Sequence, residues 1–169
     1  MTRRKFKSLP QIKERIIDIA NEINIAYDQR DVEIVLINST PIFFLNELLQ
    51  HIKFRYKVQF LTYQNYTNEH DSCGEVQILQ DLIRPIHNKD VLLIEGVIIS
   101  GKTPDFIHRL LQSRNPNSVA FACIGHKSKL IAYELPPLFS LFDFSNQWIE
   151  GFGIGDGPDK NKLALYNLK

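Results

Sequence analysis

The chain has 169 residues, 44% of them hydrophobic, a size that suits one domain with its own core and no need of metals or disulfides. Its 20 Lys and Arg against 19 Asp and Glu leave a formal net charge of +1, which excludes a global field for wrapping nucleic acid or docking on an anionic membrane. No run approaches the roughly 18 apolar residues of a membrane span, and the basic Arg3-Arg4-Lys5-Lys7 cluster lacks the apolar stretch of a signal peptide, so a cytoplasmic protein is expected.

Ser8-Leu9-Pro10 is a cap-then-proline start, after which Ile12, Ile16, Ile17, Ala20, Ile23 and Ile25 recur at largely helical spacing up to about Tyr27. Val32 to Ile37 has the length of a strand, and Ile42 to Ile52 is again helical, beginning just after Thr40-Pro41. Lys57 to Tyr63 alternates with period two, Gln64 to Ser72 is polar throughout and reads as a long loop, and Gly74 to Leu79 resumes the alternation. Asp90 to Glu95 is nearly unbroken apolar sequence, as a central strand covered on both faces requires, and Pro104 to Leu111 continues as helix. Ser118 to Ile124 is another buried-type strand. Strands alternating with helices predict an α/β domain: a mostly parallel central sheet with helices on both faces and ligands at the carboxyl ends of the strands. After about residue 135 the rhythm breaks into short strands and loops. Residues 136–169, with the N-terminal segment, are expected to form a small hood beside a core of about 30–135, all within one domain spanning 1–169. Cys73 and Cys123 make neither metal-ligand spacing nor a disulfide framework, and Cys123 reads as a small core residue.

Gly96-Val97-Ile98-Ile99-Ser100-Gly101-Lys102-Thr103 matches the pattern G-x-x-x-x-G-K-T between a strand and a helix, which raises a nucleoside triphosphatase as one reading. The β-branched Val97-Ile98-Ile99 resist the wrapped backbone that a triphosphate needs. The second reading keeps only Ser100, Gly101, Lys102 and Thr103, whose amides, two hydroxyls and helix N-terminus suit a single phosphate monoester.

Val91 to Thr103 resembles the phosphoribosyl-pyrophosphate motif of type I phosphoribosyltransferases, a hydrophobic strand, two acids, two aliphatics, Asp, then Thr-Gly-x-Thr. Ser72 to Leu82 resembles the end of that family's mobile catalytic loop and the strand after it, the loop opening near Thr62-Tyr63 and covering Gln64 to Cys73. Ser118 to Lys127 is similar to the strand that ends in a purine-contacting lysine. Gln147-Trp148-Ile149-Glu150-Gly151-Phe152-Gly153 resembles the segment that stacks on the base. The order is colinear over nearly the whole chain and is most like the hypoxanthine-guanine enzymes.

The resemblance implies a type I phosphoribosyltransferase fold, a role in purine salvage, and a role for each matched residue. Ser100 and Thr103 would bond the ribose 5′-phosphate and Glu95 the ribose hydroxyls. Lys127 would donate to the exocyclic oxygen of a 6-oxopurine, Trp148 would stack on the base, and Ile149 would offer backbone groups to its edge. Ser39 and Thr40 lie at the pyrophosphate loop, Asp156 is a candidate carboxylate on the magnesium side, and Lys160 or Lys162 could stand in for the family's pyrophosphate arginine. Expected partners are a purine with phosphoribosyl pyrophosphate, or a nucleotide, with Mg2+ as cofactor and a homodimer or homotetramer as assembly. Three departures stand out. Gly96 replaces the second acid, Ile99 replaces the aspartate near purine N7, and the C-terminal Gly-aromatic-Gly-x-Asp-to-Arg pattern is altered. No catalytic residue is therefore secure, and a binding module without catalysis is the alternative.

Overall fold

Ser8 starts the first helix as its sequence predicts, its amide donating to Gln11 Oε1 at 3.0 Å, and Pro10 sits in the first turn. The computed structural model describes residues 3–66, 75–134 and 136–168. Its elements in chain order are β1 (Arg3–Lys7), α1 (Leu9–Ala26), β2 (Asp31–Ile37), α2 (Ile42–Leu49), β3 (Arg55–Tyr66), β4 (Glu75–Gln80), β5 (Asp90–Ile98), α3 (Lys102–Gln112), β6 (Ser118–His126), β7 (Leu138–Asp143), β8 (Trp148–Glu150) and β9 (Leu165–Leu168).

The main sheet has six strands in the order β4-β3-β2-β5-β6-β7. All are parallel except β4, which runs antiparallel to β3 at the edge. On one face Ile12, Ile16 and Ile23 of α1 and Phe44 and Leu48 of α2 pack with Ile34, Leu36, Leu92 and Ile94. On the other, Ile107 and Leu111 of α3 pack with Val35, Leu93 and Phe121. The chain steps from β2 outward to β3, and from β5 outward to β6 and β7 in the opposite direction. Loops leaving β2 and β5 therefore diverge and open a crevice at the carboxyl ends of these neighbouring strands, where ligands of such sheets bind.

Three expectations need correction. Leu138–Asp143, expected in the hood, pairs in parallel with β6 and is the edge strand of the main sheet. The separate sheet contains only β1, β9 and β8, in that order, joining the N-terminal residues to the C-terminal ones. The loop expected from Gln64 does not begin there, because Gln64 to Tyr66 stay in β3 and pair with β4. The rest of that predicted loop lies outside the described residues. Finally, Gly96-Val97-Ile98 belong to β5, so the span that a triphosphate loop would wrap is extended strand and the triphosphatase reading falls.

Candidate active site

The turn after β5 is built for an anion. Gly101 precedes α3 with φ 85°, a left-handed conformation that costs an L side chain about 1–2 kcal/mol. Amides in a first helical turn, here those of Lys102 and Thr103, have no intrahelical acceptor and are met by groups outside the helix ladder. That of Lys102 meets Ser100 Oγ at 3.3 Å, and the first amide used by the helix itself is that of Asp105, on Gly101 O at 3.0 Å. Lys102 is partly buried at the start of the helix.

A cleft of about 270 Å³ opens over this turn, lined by Ser100, Gly101 and Thr103 together with Glu95, Ile99 and Tyr63. Glu95 is only 7% exposed, and its carboxylate receives the amide of Gly96 at 2.8 Å. Burial raises its pKa to about 7, with the Gly96 bond opposing. Ile99 is 46% exposed at the cleft wall, so no acid-base group replaces the missing aspartate at that position. Asn65 escaped the sequence reading because β3 was ended at Tyr63, and Tyr63 itself was read only as the point where the loop opens; the period-two alternation that places Leu61 inward places both of them on the same face.

Ser39 and Thr40 leave β2 beside this cleft, after Asn38 in a left-handed conformation at φ 55°. Gly96 and Gly153 are needed there. A Cβ on Gly96 would lie 2.8 Å from Thr40 Cγ2, and one on Gly153 would strike the Thr40 carbonyl. The Thr40 methyl thus occupies the space a side chain at position 96 would take.

At the next strand, the amide of Lys127 donates to Ile98 O at 2.9 Å, which ties the end of β6 to the strand that enters the turn at 100–103. Lys127 is buried, which lowers its pKa, and its Nζ lies 3.9 Å from the centre of the Trp148 ring. Trp148 is 68% exposed, so it is not a core aromatic of the hood. Ile149 is buried in β8 opposite Asn167. Asp156 is exposed, on a turn held by Glu150. The buried Glu150 carboxylate accepts the Asp159 amide at 3.1 Å and fills the space beside Gly155 and Gly157. Lys160 is partly buried; Lys162 Nζ lies 2.7 Å from Asp159 Oδ1. Among the described residues no three His, Cys, Asp or Glu side chains converge as a metal site. Cys123 is a buried free thiol, as expected of a core residue.

The sequence is 30% identical over 167 residues to the hypoxanthine-guanine phosphoribosyltransferase of Dictyostelium discoideum, covering 96% of this chain and 93% of that protein. The chain belongs to the hypoxanthine-guanine phosphoribosyltransferase family. The hypoxanthine phosphoribosyltransferase of Salmonella typhimurium is 29% identical over 146 residues, covering 85% of this chain and 82% of that one. No protein-family model matches the sequence. The fold is that of the solved family members: a hypoxanthine-guanine phosphoribosyltransferase from Bacillus anthracis superposes with a TM-score of 0.91 at 22% identity over 98% of both chains. A hypoxanthine phosphoribosyltransferase from Staphylococcus aureus gives 0.91 at 24%, over 98% of this chain and 91% of that one. No helix among the described residues is long and apolar enough to cross a membrane.

Proposed function

We propose that the chain transfers a phosphoribosyl group from phosphoribosyl pyrophosphate to hypoxanthine or guanine, forming IMP or GMP and pyrophosphate, at a rate limited by Ile99. The observation that carries this reading is the linkage at one sheet edge of the phosphate turn at 100–103, buried Glu95, and the Lys127–Trp148 pair bonded through Ile98.

In this reading the Ser100 and Thr103 hydroxyls and the amides of residues 101–103 hold the 5′-phosphate while Glu95 accepts the ribose hydroxyls. The purine stacks on Trp148, with Lys127 donating to its exocyclic oxygen and Ile149 presenting backbone groups to its edge; stacking of this kind is worth about 1–3 kcal/mol. The loop at Ser39 and Thr40 faces pyrophosphate, with Lys160 or Lys162 on the same side. Positioning and charge stabilisation remain in place, but Ile99 neither accepts nor donates the N7 proton, and a positioned acid-base group is worth about 10²–10⁴-fold in rate. Magnesium ions are usually held by one or two carboxylates plus substrate phosphates, so exposed Asp156 alone fits a minimal site. With the ion bound, charge on the departing pyrophosphate would be neutralised. A cytoplasmic homodimer or homotetramer completes the proposal.

The chain has a single tryptophan, so Trp148 emission reports base binding directly. Titration with GMP or IMP is expected to change that emission, and product is expected from phosphoribosyl pyrophosphate, magnesium and either purine. Ile99→Asp is expected to raise the rate by about 10²–10⁴-fold. Neither binding nor product would end the proposal. The second reading, a nucleotide-binding module without catalysis, is favoured by the replacement of two family acids by Gly96 and Ile99; it predicts the emission change with no turnover.

A further inference from the structure

Lys127 and Trp148 meet at 3.9 Å, yet they belong to different segments: Lys127 follows β6, and Trp148 opens β8 after the turn that leaves β7. β6 and β8 lie in separate sheets, so no strand ladder sets the spacing of the pair. One side chain bridges the two segments. Asp143 ends β7 in register with His126, the residue before Lys127. Its Oδ1 accepts the amide of Ser128 at 3.2 Å and the amide of Ser145 at 2.7 Å. Ser128 is the residue after Lys127, and Ser145 lies three residues before Trp148.

Main-chain bonds carry this anchor to both members of the pair. On one side Ser128–Leu130 is a single tight helical turn, closed by the Leu130 amide on Lys127 O at 2.8 Å, while the Lys127 amide is held by Ile98 O. On the other side the Phe144 amide donates to His126 O at 2.8 Å and the Gln147 amide to Phe144 O at 2.8 Å, which brings the chain round to Trp148. Ser145 stands in this second turn at φ 59°, a left-handed conformation disfavoured for a residue with a Cβ. The bond from its amide to Asp143 helps to hold it there. A carboxylate only accepts hydrogen bonds, and each oxygen has two lone pairs, so one oxygen can serve both amides.

We propose that Asp143 is a positioning residue for the base site, fixing the separation of Lys127 and Trp148 by binding the main chain beside each. This inference rests on the reading that this pair receives the purine. It assigns Asp143 no contact with the ligand, and it depends on an acceptor oxygen at that point, not on the charge.

The test is calorimetric titration of the full chain with GMP and with ribose 5-phosphate, which offers the turn at 100–103 a phosphate without a base. Asp143→Ala removes the acceptor and Asp143→Asn keeps it. Ser128→Pro takes away one of the two amide hydrogens, at the first position of its helical turn, where proline is tolerated. Thermal melting checks that each variant is folded, and if Asp143→Ala is not, Ser128→Pro and Asp143→Asn carry the test. GMP affinity is expected to fall roughly threefold to tenfold in Asp143→Ala, somewhat less in Ser128→Pro, and to stay within roughly twofold of wild type in Asp143→Asn. Ribose 5-phosphate affinity should be unchanged in all three. Wild-type GMP affinity in Asp143→Ala or Ser128→Pro overturns the role of Asp143 alone. So does an Asp143→Asn loss as large as that of Asp143→Ala, because charge would then be the cause, or an equal loss for ribose 5-phosphate, because general loosening would produce it. A wild type that binds GMP no more tightly than ribose 5-phosphate overturns the base-site reading and this inference with it.

Discussion

The two ends of the main sheet treat buried charge in opposite ways. At the amino end, Glu33 receives the Arg84 guanidinium at 2.8 and 3.2 Å and the Gln59 amide at 3.1 Å. Asp90 receives Arg30 at 3.1 Å and the Ser118 hydroxyl at 2.6 Å, and on the exposed rim Asp31 pairs with Arg55 at 2.8 Å. At the carboxyl end the Glu95 carboxylate meets its own neighbour's amide and, among the described residues, no cation. Desolvation is offset inside the chain at one end and left uncompensated at the other, as a site awaiting a polar ligand requires. Cavity size would mislead here: a larger cleft of about 480 Å³ lies at the amino end, lined by Arg55 and by Asp31 and Glu33, whose carboxylates are already satisfied.

The strongest challenge to this contrast is to break one pair at the amino end. Arg84→Ala leaves Glu33 buried without its cation and should cost about 3 kcal/mol, the low end for a buried pair because Arg84 is partly exposed. A urea titration would show the loss, with GMP affinity of the folded protein unchanged; an equal loss of affinity would erase the distinction between the two ends.

Glu95 should respond to pH in the opposite sense to a paired carboxylate. Its folded pKa, about 7, lies above the ordinary 4.5, so the folded state binds the extra proton between those values. The stability it contributes is complete below pH 4.5 and is lost as pH rises through about 7. The melting temperature should therefore decline between pH 5 and pH 8, and Glu95→Gln should flatten that decline while weakening GMP binding. A decline equally steep in Glu95→Gln would assign it to another group.

The smallest expected effect concerns the contact of Gly96 with Thr40. Gly96→Asp should cost about 1 kcal/mol, the low end of overpacking because the Thr40 side chain can rotate, and Thr40→Gly in the same chain should recover it. Additive losses in the double variant would show that the two positions are not sterically coupled. Coupling would mean that the second acid of the family motif cannot be restored by one substitution.

Much of the fold was readable because its signals are local. The proline-started helix, the apolar central strand and the glycine that turns into α3 each carry their signal within a dozen residues of sequence, and those signals place the turn at 100–103 between β5 and α3. The pairing of β1 with β9 joins opposite ends of the chain, and no short pattern encodes it. β7 reads as an apolar segment whose partner strand only tertiary packing decides. Gln64 to Tyr66 look like loop because pairing with the edge strand β4 tolerates polar residues, and losing that stretch hid Asn65 at the cleft. Glu150 was read as part of the base segment, whereas it anchors the 155–159 turn from within.

The ammonium resting on the Trp148 ring has a consequence for affinity measurements. The indole already enjoys a charge–quadrupole attraction to that ammonium, worth about 0.5–2 kcal/mol. If, as proposed, a nucleobase stacks on the face that Lys127 covers, it displaces that tenant, and the free energy recorded at equilibrium is then the difference between two occupancies of one ring face. Neutralising Lys127 would therefore remove a competitor as well as a hydrogen-bond donor, and the two changes act with opposite sign.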